Sequence, residues 1–244
     1  MRILIVSDIH SNLAAFEAVL RDAGAAGPID RVWCPGDIVG YGPDPIACIA
    51  LLRPYSHLAV CGNHDLAAID RISTSDFNPA GRMAAEWTGK RLGNKERQYL
   101  DGLPQVAKEG DFTLVHGSLR APVWEYLLSS EAAEEQFRRM ETAYSIIGHS
   151  HIPFVACETA GGTARLTPLL NGDRIDLGER RLIINPGSVG QPRDGDRRAS
   201  YAALDLEGRV LTLRRVEYDI AATQEKIRAE GLPRWLAERL AFGQ

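Results

Sequence analysis

The chain opens with four apolar residues, Ile3-Leu4-Ile5-Val6, and leaves them through Ser7-Asp8-Ile9-His10. The same construction recurs four times. Val32-Trp33-Cys34 runs into Pro35-Gly36-Asp37, and Leu58-Ala59-Val60-Cys61 into Gly62-Asn63-His64-Asp65. Phe112-Thr113-Leu114-Val115 runs into His116-Gly117-Ser118, and Ser145-Ile146-Ile147 into Gly148-His149-Ser150-His151. Short apolar runs bounded by turn residues read as buried strands. Each delivers an acid, an amide or an imidazole to its C-terminal end, the edge where open α/β sheets bind ligands. Five of the six histidines lie at these exits; His57 instead begins a strand. Buried ionisable groups are costly unless paired or metal-bound, so this concentration points to a site rather than to packing. Alternation along an extended chain would put Asp8 and His10 on one side. Gly36, Gly62, Gly117 and Gly148 each adjoin a candidate ligand, as sharp bends and close backbone approach require.

With flanking residues the five runs extend over Arg2–Ser7, Asp30–Cys34, His57–Cys61, Asp111–Val115 and Ala143–Ile147, and further strands are predicted at Leu182–Asn185, Ser200–Leu206 and Arg209–Val216. Leu13, Phe16, Ala18, Val19 and Leu20 predict an amphipathic helix, capped by Ser11 or Asn12 and stopped at Gly24. Helices are also predicted over Pro45–Leu52 and over Ser130–Met140, with Ser130 as cap. Pro79–Arg91 and Lys95–Leu100 read as a pair broken near Gly93, with Asn94 capping the second. Asp219–Glu230 and Leu232–Phe242 read as a C-terminal pair interrupted at Gly231-Leu232-Pro233. Alternating strands and helices in the first half predict parallel βαβ units. From Leu182 on, strands joined by turns such as Glu207-Gly208 predict antiparallel pairing. Asp70–Pro79 and Ala156–Asp176 read as loops or insertions. Without a repeat or linker, residues 1–244 read as one domain, with the ligand blocks at 8–151 and C-terminal strands and helices at 182–244.

At 45% hydrophobic over 244 residues the chain can bury a full core. A net charge of −4 with no basic block argues against long nucleic acid and against an anionic membrane surface. No apolar run reaches the roughly 20 residues that span a bilayer. Arg2 alone precedes the first apolar run and Asp8 follows it, which argues against a signal peptide. Cys34, Cys48, Cys61 and Cys157 match no zinc spacing and read as reduced residues of a cytoplasmic protein.

The candidate ligands are Asp8, His10, Asp37, Asn63, His116, His149 and His151. No cysteine is among them, so a thiolate-built structural zinc site is excluded. Carboxylate, amide and imidazole together suit Mn²⁺, Fe or Zn²⁺ better than Ca²⁺ or Mg²⁺, which prefer oxygen shells. Seven residues are too many for one ion, whereas a bridging carboxylate lets them fill two adjacent sites. Such metal pairs are a recurring device for displacement at phosphorus: they lower the pKa of a shared water and neutralise developing charge.

Asp8-x-His10, Gly36-Asp37, Gly62-Asn63-His64-Asp65, His116 and Gly148-His149-Ser150-His151 resemble, in order and spacing, the five blocks of the calcineurin-like metallophosphoesterase superfamily. Asn185-Pro186-Gly187-Ser188-Val189-Gly190-Gln191-Pro192-Arg193 resembles a segment common in its small bacterial branch. The resemblance implies an α/β fold, a four-layer αββα sandwich of two mixed β-sheets flanked by helices. It also implies that Asp8, His10 and His151 hold one metal, that Asn63, His116 and His149 hold the other, and that Asp37 bridges them. His64 is implied as a non-ligand that contacts the phosphate and acts as general acid, with Asp65 as a candidate to orient it. Mn²⁺ is the leading candidate for both ions, ahead of Fe, Zn²⁺ or Ni²⁺.

The second block departs from the Gly-Asp-x-x-Asp-Arg-Gly of the superfamily's phosphoprotein phosphatases. It reads Gly36-Asp37-Ile38-Val39-Gly40-Tyr41-Gly42-Pro43-Asp44. The missing arginine weakens a phosphoprotein substrate and equally weakens close kinship with the symmetrically cleaving diadenosine tetraphosphate hydrolases. Tyr41 could instead stack on a base or aryl group, and Arg193 could hold a second phosphate. Ser118–Tyr126, with Arg120, Trp124 and Tyr126, and Ser188–Arg198 are further candidates to shape the pocket; Arg197 and Arg198 read as solvated and Trp87 as core. The expectation is a binuclear metal-dependent phosphoesterase using a metal-bound hydroxide on phosphodiesters or phosphomonoesters of small molecules or nucleotides. The alternatives are a phosphoprotein phosphatase, a dinucleoside polyphosphate hydrolase and a non-enzymatic scaffold of the same fold.

Overall fold

A computed structural model describes the chain from residue 1 to residue 244. Twelve strands follow in chain order: β1 (Arg2–Ile5), β2 (Arg31–Cys34), β3 (His57–Ala59), β4 (Val106–Glu109), β5 (Phe112–Val115), β6 (Tyr144–Ile146), β7 (Phe154–Glu158), β8 (Ala164–Pro168), β9 (Arg174–Asp176), β10 (Leu182–Asn185), β11 (Ala199–Asp205) and β12 (Val210–Val216). The helices are α1 (Leu13–Ala25), α2 (Pro45–Leu52), α3 (Asn63–Ala68), α4 (Pro79–Arg91), α5 (Asn94–Asp101), α6 (Ser130–Arg139), α7 (Ile220–Ala229) and α8 (Arg234–Glu238), the last running on into a 3₁₀ turn at Arg239–Ala241. None is long and apolar enough to cross a membrane.

The strands form two six-stranded sheets, in the orders β3-β2-β1-β11-β12-β9 and β4-β5-β6-β10-β7-β8. Each has a parallel part: β3, β2 and β1 run parallel from the edge of one, and β5, β6 and β10 form the centre of the other. Antiparallel strands complete the far side of the first sheet and both edges of the second. The uninterrupted apolar runs are explained by burial on both faces. In β1, Ile3 and Ile5 face the other sheet and meet a cluster containing Trp33, Phe112, Tyr144, Ile184 and Leu204. Leu4 and the following Val6 face outward and pack with Phe16 and Val19 of α1 and Ile49 and Leu52 of α2. On the far side, Ala133 and Phe137 of α6 cover Val115, Ile147, Ile183 and Phe154. The layers are therefore helix, sheet, sheet, helix, as the resemblance implied.

Local chemistry sets the helix ends. Asn12 caps α1 by accepting from Ala15 N at 3.2 Å, and the helix passes Gly24 by one residue. Ser129, one residue before the expected cap, accepts from Ala132 N at 3.2 Å and starts α6. α5 is capped by Gly93, and Asn94 is its first residue.

Three expectations need correction. Ala156–Asp176 is not a loop: it holds most of β7, all of β8 and β9. These edge strands are only partly covered, so Ala164–Pro168 shows no apolar run. β10 is not purely antiparallel, since it extends the parallel centre through β6. The third ligand block does not only end a strand; it also begins α3, six buried residues too short to show a helical period.

Phe137 is 1% exposed at the centre of the α6 face. Phe137→Ala should cost about 3–5 kcal/mol in urea unfolding. A loss below about 1 kcal/mol would mean that α6 does not seal this sheet.

Candidate metal centre

Beyond Ile5 the chain stops being a strand. Asp8, His10 and Ser11 have φ of 52°, 47° and 54°, in the left-handed region. Asp8 and His10 converge because the backbone bends, not because they alternate along an extended segment as expected. The bend is held against the loop after β2: Asp8 N donates to Gly36 O (3.1 Å), His10 N to Asp37 O (3.0 Å) and Ser11 N to Ile38 O (3.1 Å). Asp37, Tyr41, His149 and His151 are also left-handed, so seven of the nine such non-glycine residues lie in these loops. Conformations of this kind persist only where the surroundings over-determine them, and they cluster at functional sites. Gly62 is required for a different reason: a Cβ there would overlap the Asp37 carboxylate.

All seven candidate ligands are brought together, none more than 5% exposed. They form two groups. Asp8, His10, Asp37 and His151 place one ligand atom each within 4.8 Å of one another, and Asp37, His116 and His149 do the same. Asp37 belongs to both. Its Oδ2 lies 3.5 Å from His10 Nε2 and 3.3 Å from His116 Nε2. His151 Nε2 lies 3.3 Å from Asp8 Oδ1. Asn63, at the start of α3, puts Oδ1 3.2 Å from His116 Nε2 and joins the second group.

The four imidazoles are oriented by carbonyls on their far nitrogens. Nδ1 of His10 donates to Val39 O (3.2 Å), that of His116 to Pro35 O (2.8 Å) and that of His151 to Gln191 O (2.6 Å). His149 is reversed, with Nε2 donating to Trp124 O at 3.2 Å. Each ring, when neutral, therefore turns a lone pair inward. His10 Nε2 and His151 Nε2 face each other at 3.0 Å, and His116 Nε2 and His149 Nδ1 at 3.1 Å. Two inward lone pairs at that distance suit a shared cation, and carbonyl-anchored histidines are the usual second layer of a metal site. Burial holds His10 and His151 below the usual range, and His149 down at about 3. Burial also pulls on His116, but the Asp37 carboxylate outweighs it and raises that ring to about 9. The donor set fits divalent metal ions.

A family model for the calcineurin-like phosphoesterase superfamily domain matches residues 1–209. The chain belongs to the calcineurin-like phosphoesterase superfamily. The crystal structure of a metallophosphoesterase from Sphaerobacter thermophilus is similar at TM-score 0.91 and 46% identity, over 100% of this chain and 99% of that one. An uncharacterized protein of Methanocaldococcus jannaschii is 41% identical over 99% of this chain and 98% of its own. A symmetrical bis(5'-nucleosyl)-tetraphosphatase of Chromohalobacter salexigens is 27% identical over 74% of this chain and 64% of its own length.

Beside these donor groups lies a cavity of about 180 Å³. His64, Tyr41 and Arg193 line it together with Asp37, Asn63 and His149. The His64 ring is buried, its Nδ1 has no hydrogen-bond partner, and burial holds its pKa down at about 4. Tyr41 lies 4.2 Å from the His64 ring centre and 4.7 Å from that of His10. The Arg193 guanidinium is 5.8 Å from the Tyr41 ring and donates to Gln191 Oε1. The expectation that Asp65 orients His64 is not met. Its carboxylate accepts from Val39 N and Gly62 N, both at 3.0 Å, and pins the second loop to the third. Burial, reinforced by Asp37, raises it to about 7. Arg120, Arg197 and Arg198 pair with Glu125, Glu217 and Asp196. His57 bonds Tyr99 at 3.0 Å, away from the site.

Sequence reasoning marked the Asn185–Arg193 segment but missed its role, which is to join the two sheets here. Asn185 Nδ2 donates to Gly148 O (2.7 Å), and Ser188 Oγ to Asp8 O (2.8 Å). Val189 N and Gly190 N donate to Ser7 O and Asp8 O, both at 2.9 Å. Ser7 Oγ donates to Asp8 Oδ2 at 2.6 Å. The signal was the polar Asn185-Pro186-Gly187-Ser188 run straight after an apolar strand.

Asp37→Asn should weaken both metal sites together, by about tenfold or more in affinity, in a metal titration followed by elemental analysis. Loss of one ion with the other retained at full affinity would contradict a shared carboxylate.

Proposed function

We propose that this chain is a binuclear metal-dependent phosphoesterase, working as one domain, that hydrolyses phosphodiester or phosphomonoester bonds of small molecules or nucleotides. The observation that carries the reading is the double membership of Asp37 in two buried donor groups beside a cavity. Asp8, His10 and His151 would hold one ion, Asn63, His116 and His149 the other, with Asp37 between them; Mn²⁺ is the leading candidate for this oxygen and nitrogen mix. When bound, two such ions supply water activation and neutralisation of phosphate charge.

The remaining chemistry belongs to the chain. His64 is the general acid. Its ring sits beside Asp37 and Asn63 on the cavity wall with one nitrogen unpartnered. A phosphate anion brought against it opposes the effect of burial and raises its pKa towards the range where it can give a proton to the leaving oxygen. Tyr41 and Arg193 contact the substrate. The four unpaired cysteines fit a reducing compartment, and we place the reaction in the cytoplasm. A second reading, hydrolysis of dinucleoside polyphosphates, is favoured by the similarity to the Chromohalobacter tetraphosphatase. Phosphoprotein hydrolysis is disfavoured because the second block carries buried Ile38 and Val39, then Gly40-Tyr41-Gly42, with no arginine.

Chelator-stripped protein should be inactive, and Mn²⁺ should restore hydrolysis of bis-p-nitrophenyl phosphate or p-nitrophenyl phosphate. His64→Ala should keep both metals and lose about 10²–10⁴ in turnover, more with poorer leaving groups. Metal loss in that variant would show that His64 is a ligand instead.

A further inference from the structure

The cavity of about 180 Å³ is smaller than the roughly 300–1,000 Å³ that encloses a drug-sized ligand. It can take a phosphoryl group and the first atoms of an ester substituent. The rest of a larger substrate must lie at the rim, and the rim is aromatic. Trp124 and Tyr126 line it while staying 39% and 50% exposed. A single exposed aromatic calls for no explanation. Four large aromatic side chains of this protein are exposed, and two of them stand together at this mouth.

Each of these rings is held from one side. Tyr126 lies parallel on His149, with ring centres 4.0 Å apart and planes at 13°. Trp124 meets Phe77 edge to face at 5.6 Å and 87°, and Phe77 packs on His64 at 4.8 Å. The loop beneath them is braced. Gly117 N donates to Pro122 O (2.6 Å) and Trp124 N to Ala121 O (3.1 Å), while Ser118 Oγ and Arg120 both donate to Glu125. The Trp124 carbonyl receives the His149 Nε2 proton, so the backbone under the rings is tied to a ligand of the metal centre. A surface ordered before binding loses little freedom when a ligand arrives. At the same rim Asp76 offers a carboxylate, suited to a sugar hydroxyl or an exocyclic amine rather than to another phosphate.

We propose that Trp124 and Tyr126 form a stacking platform for the base of a nucleoside phosphate ester, selecting nucleotides over phosphosugars and aliphatic esters. The proposal rests on the phosphoesterase reading and adds the residues that choose its substrate. The phosphoryl group enters the cavity, the sugar spans the distance to the rim, and the base lies on exposed ring faces. Stacking accepts any base, because every base has a π-face.

Titration calorimetry on the Mn²⁺-loaded protein tests this with adenosine 5′-monophosphate, ribose 5-phosphate and inorganic phosphate. The nucleotide should bind at least about tenfold more tightly than the phosphosugar. That ratio should fall towards one in Trp124→Ala and in Tyr126→Ala, and Trp124→Phe should restore most of it. Tyr126 rests on a metal-ligand ring, so Trp124→Ala decides if Tyr126→Ala loses metal. Equal affinities in the wild type, or a ratio that survives Trp124→Ala, would overturn the platform while phosphate binding leaves the phosphoesterase reading standing. No binding by inorganic phosphate or either ester would remove that reading, and the platform with it.

Discussion

The Asp37 carboxylate is the contact on which the rest of the site depends. One oxygen accepts from His64 N at 2.9 Å and so fixes the start of α3, which carries Asn63 and His64. The other stands between His10 and His116, one from each sheet's set of loops. Both imidazole groups are buried, and beyond the His64 N–H a buried carboxylate among neutral rings is held ionised by positive charge nearby. Protons can supply part of that charge, as the raised His116 shows. Divalent ions supply it to every inward lone pair at once, which is why metal and folded loops should stabilise each other.

The architecture serves this contact. The parallel strands of the two sheets send their exits to one end of the molecule. Neither sheet alone holds a complete donor set: Asp8, His10, Asp37 and Asn63 follow strands of one, and His116, His149 and His151 follow strands of the other. The end of β10 and the segment after it close the gap, bonding Gly148 on one side and Ser7 and Asp8 on the other. The left-handed residues show the cost of the arrangement. Five of the seven candidate ligands sit in a conformation that L-residues avoid, and cross-loop hydrogen bonds keep them there.

Much of this was legible in the chain. Strands buried on both faces must be apolar throughout, so β1, β2, β5, β6 and β10 stood out as runs. The polar exits of β1, β2, β3, β5 and β6 named the candidate ligands, because no packing need explains an acid and imidazoles at five strand ends. What was hidden has physical causes too. β8 and β9 lie at sheet edges with one face in water, so no hydrophobic period marks them. The convergence of Asp8 and His10 was foreseen for the wrong reason, since strand alternation gives the same answer as the actual bend. Asp65 could not be assigned from adjacency to His64, because neighbouring side chains on a helix diverge and its carboxylate caps the backbone instead. Trp124 and Tyr126 were noticed as pocket residues, but only the fold shows one bound through its carbonyl, and the other through its ring, to His149.

Sharing of the Asp37 carboxylate by two ions would be visible in anomalous diffraction at the manganese edge from Mn²⁺-soaked crystals. Two peaks are expected on either side of Asp37, one among Asp8, His10 and His151 and the other among Asn63, His116 and His149. A single peak at full occupancy, or ions bound without contact to Asp37, would contradict that sharing.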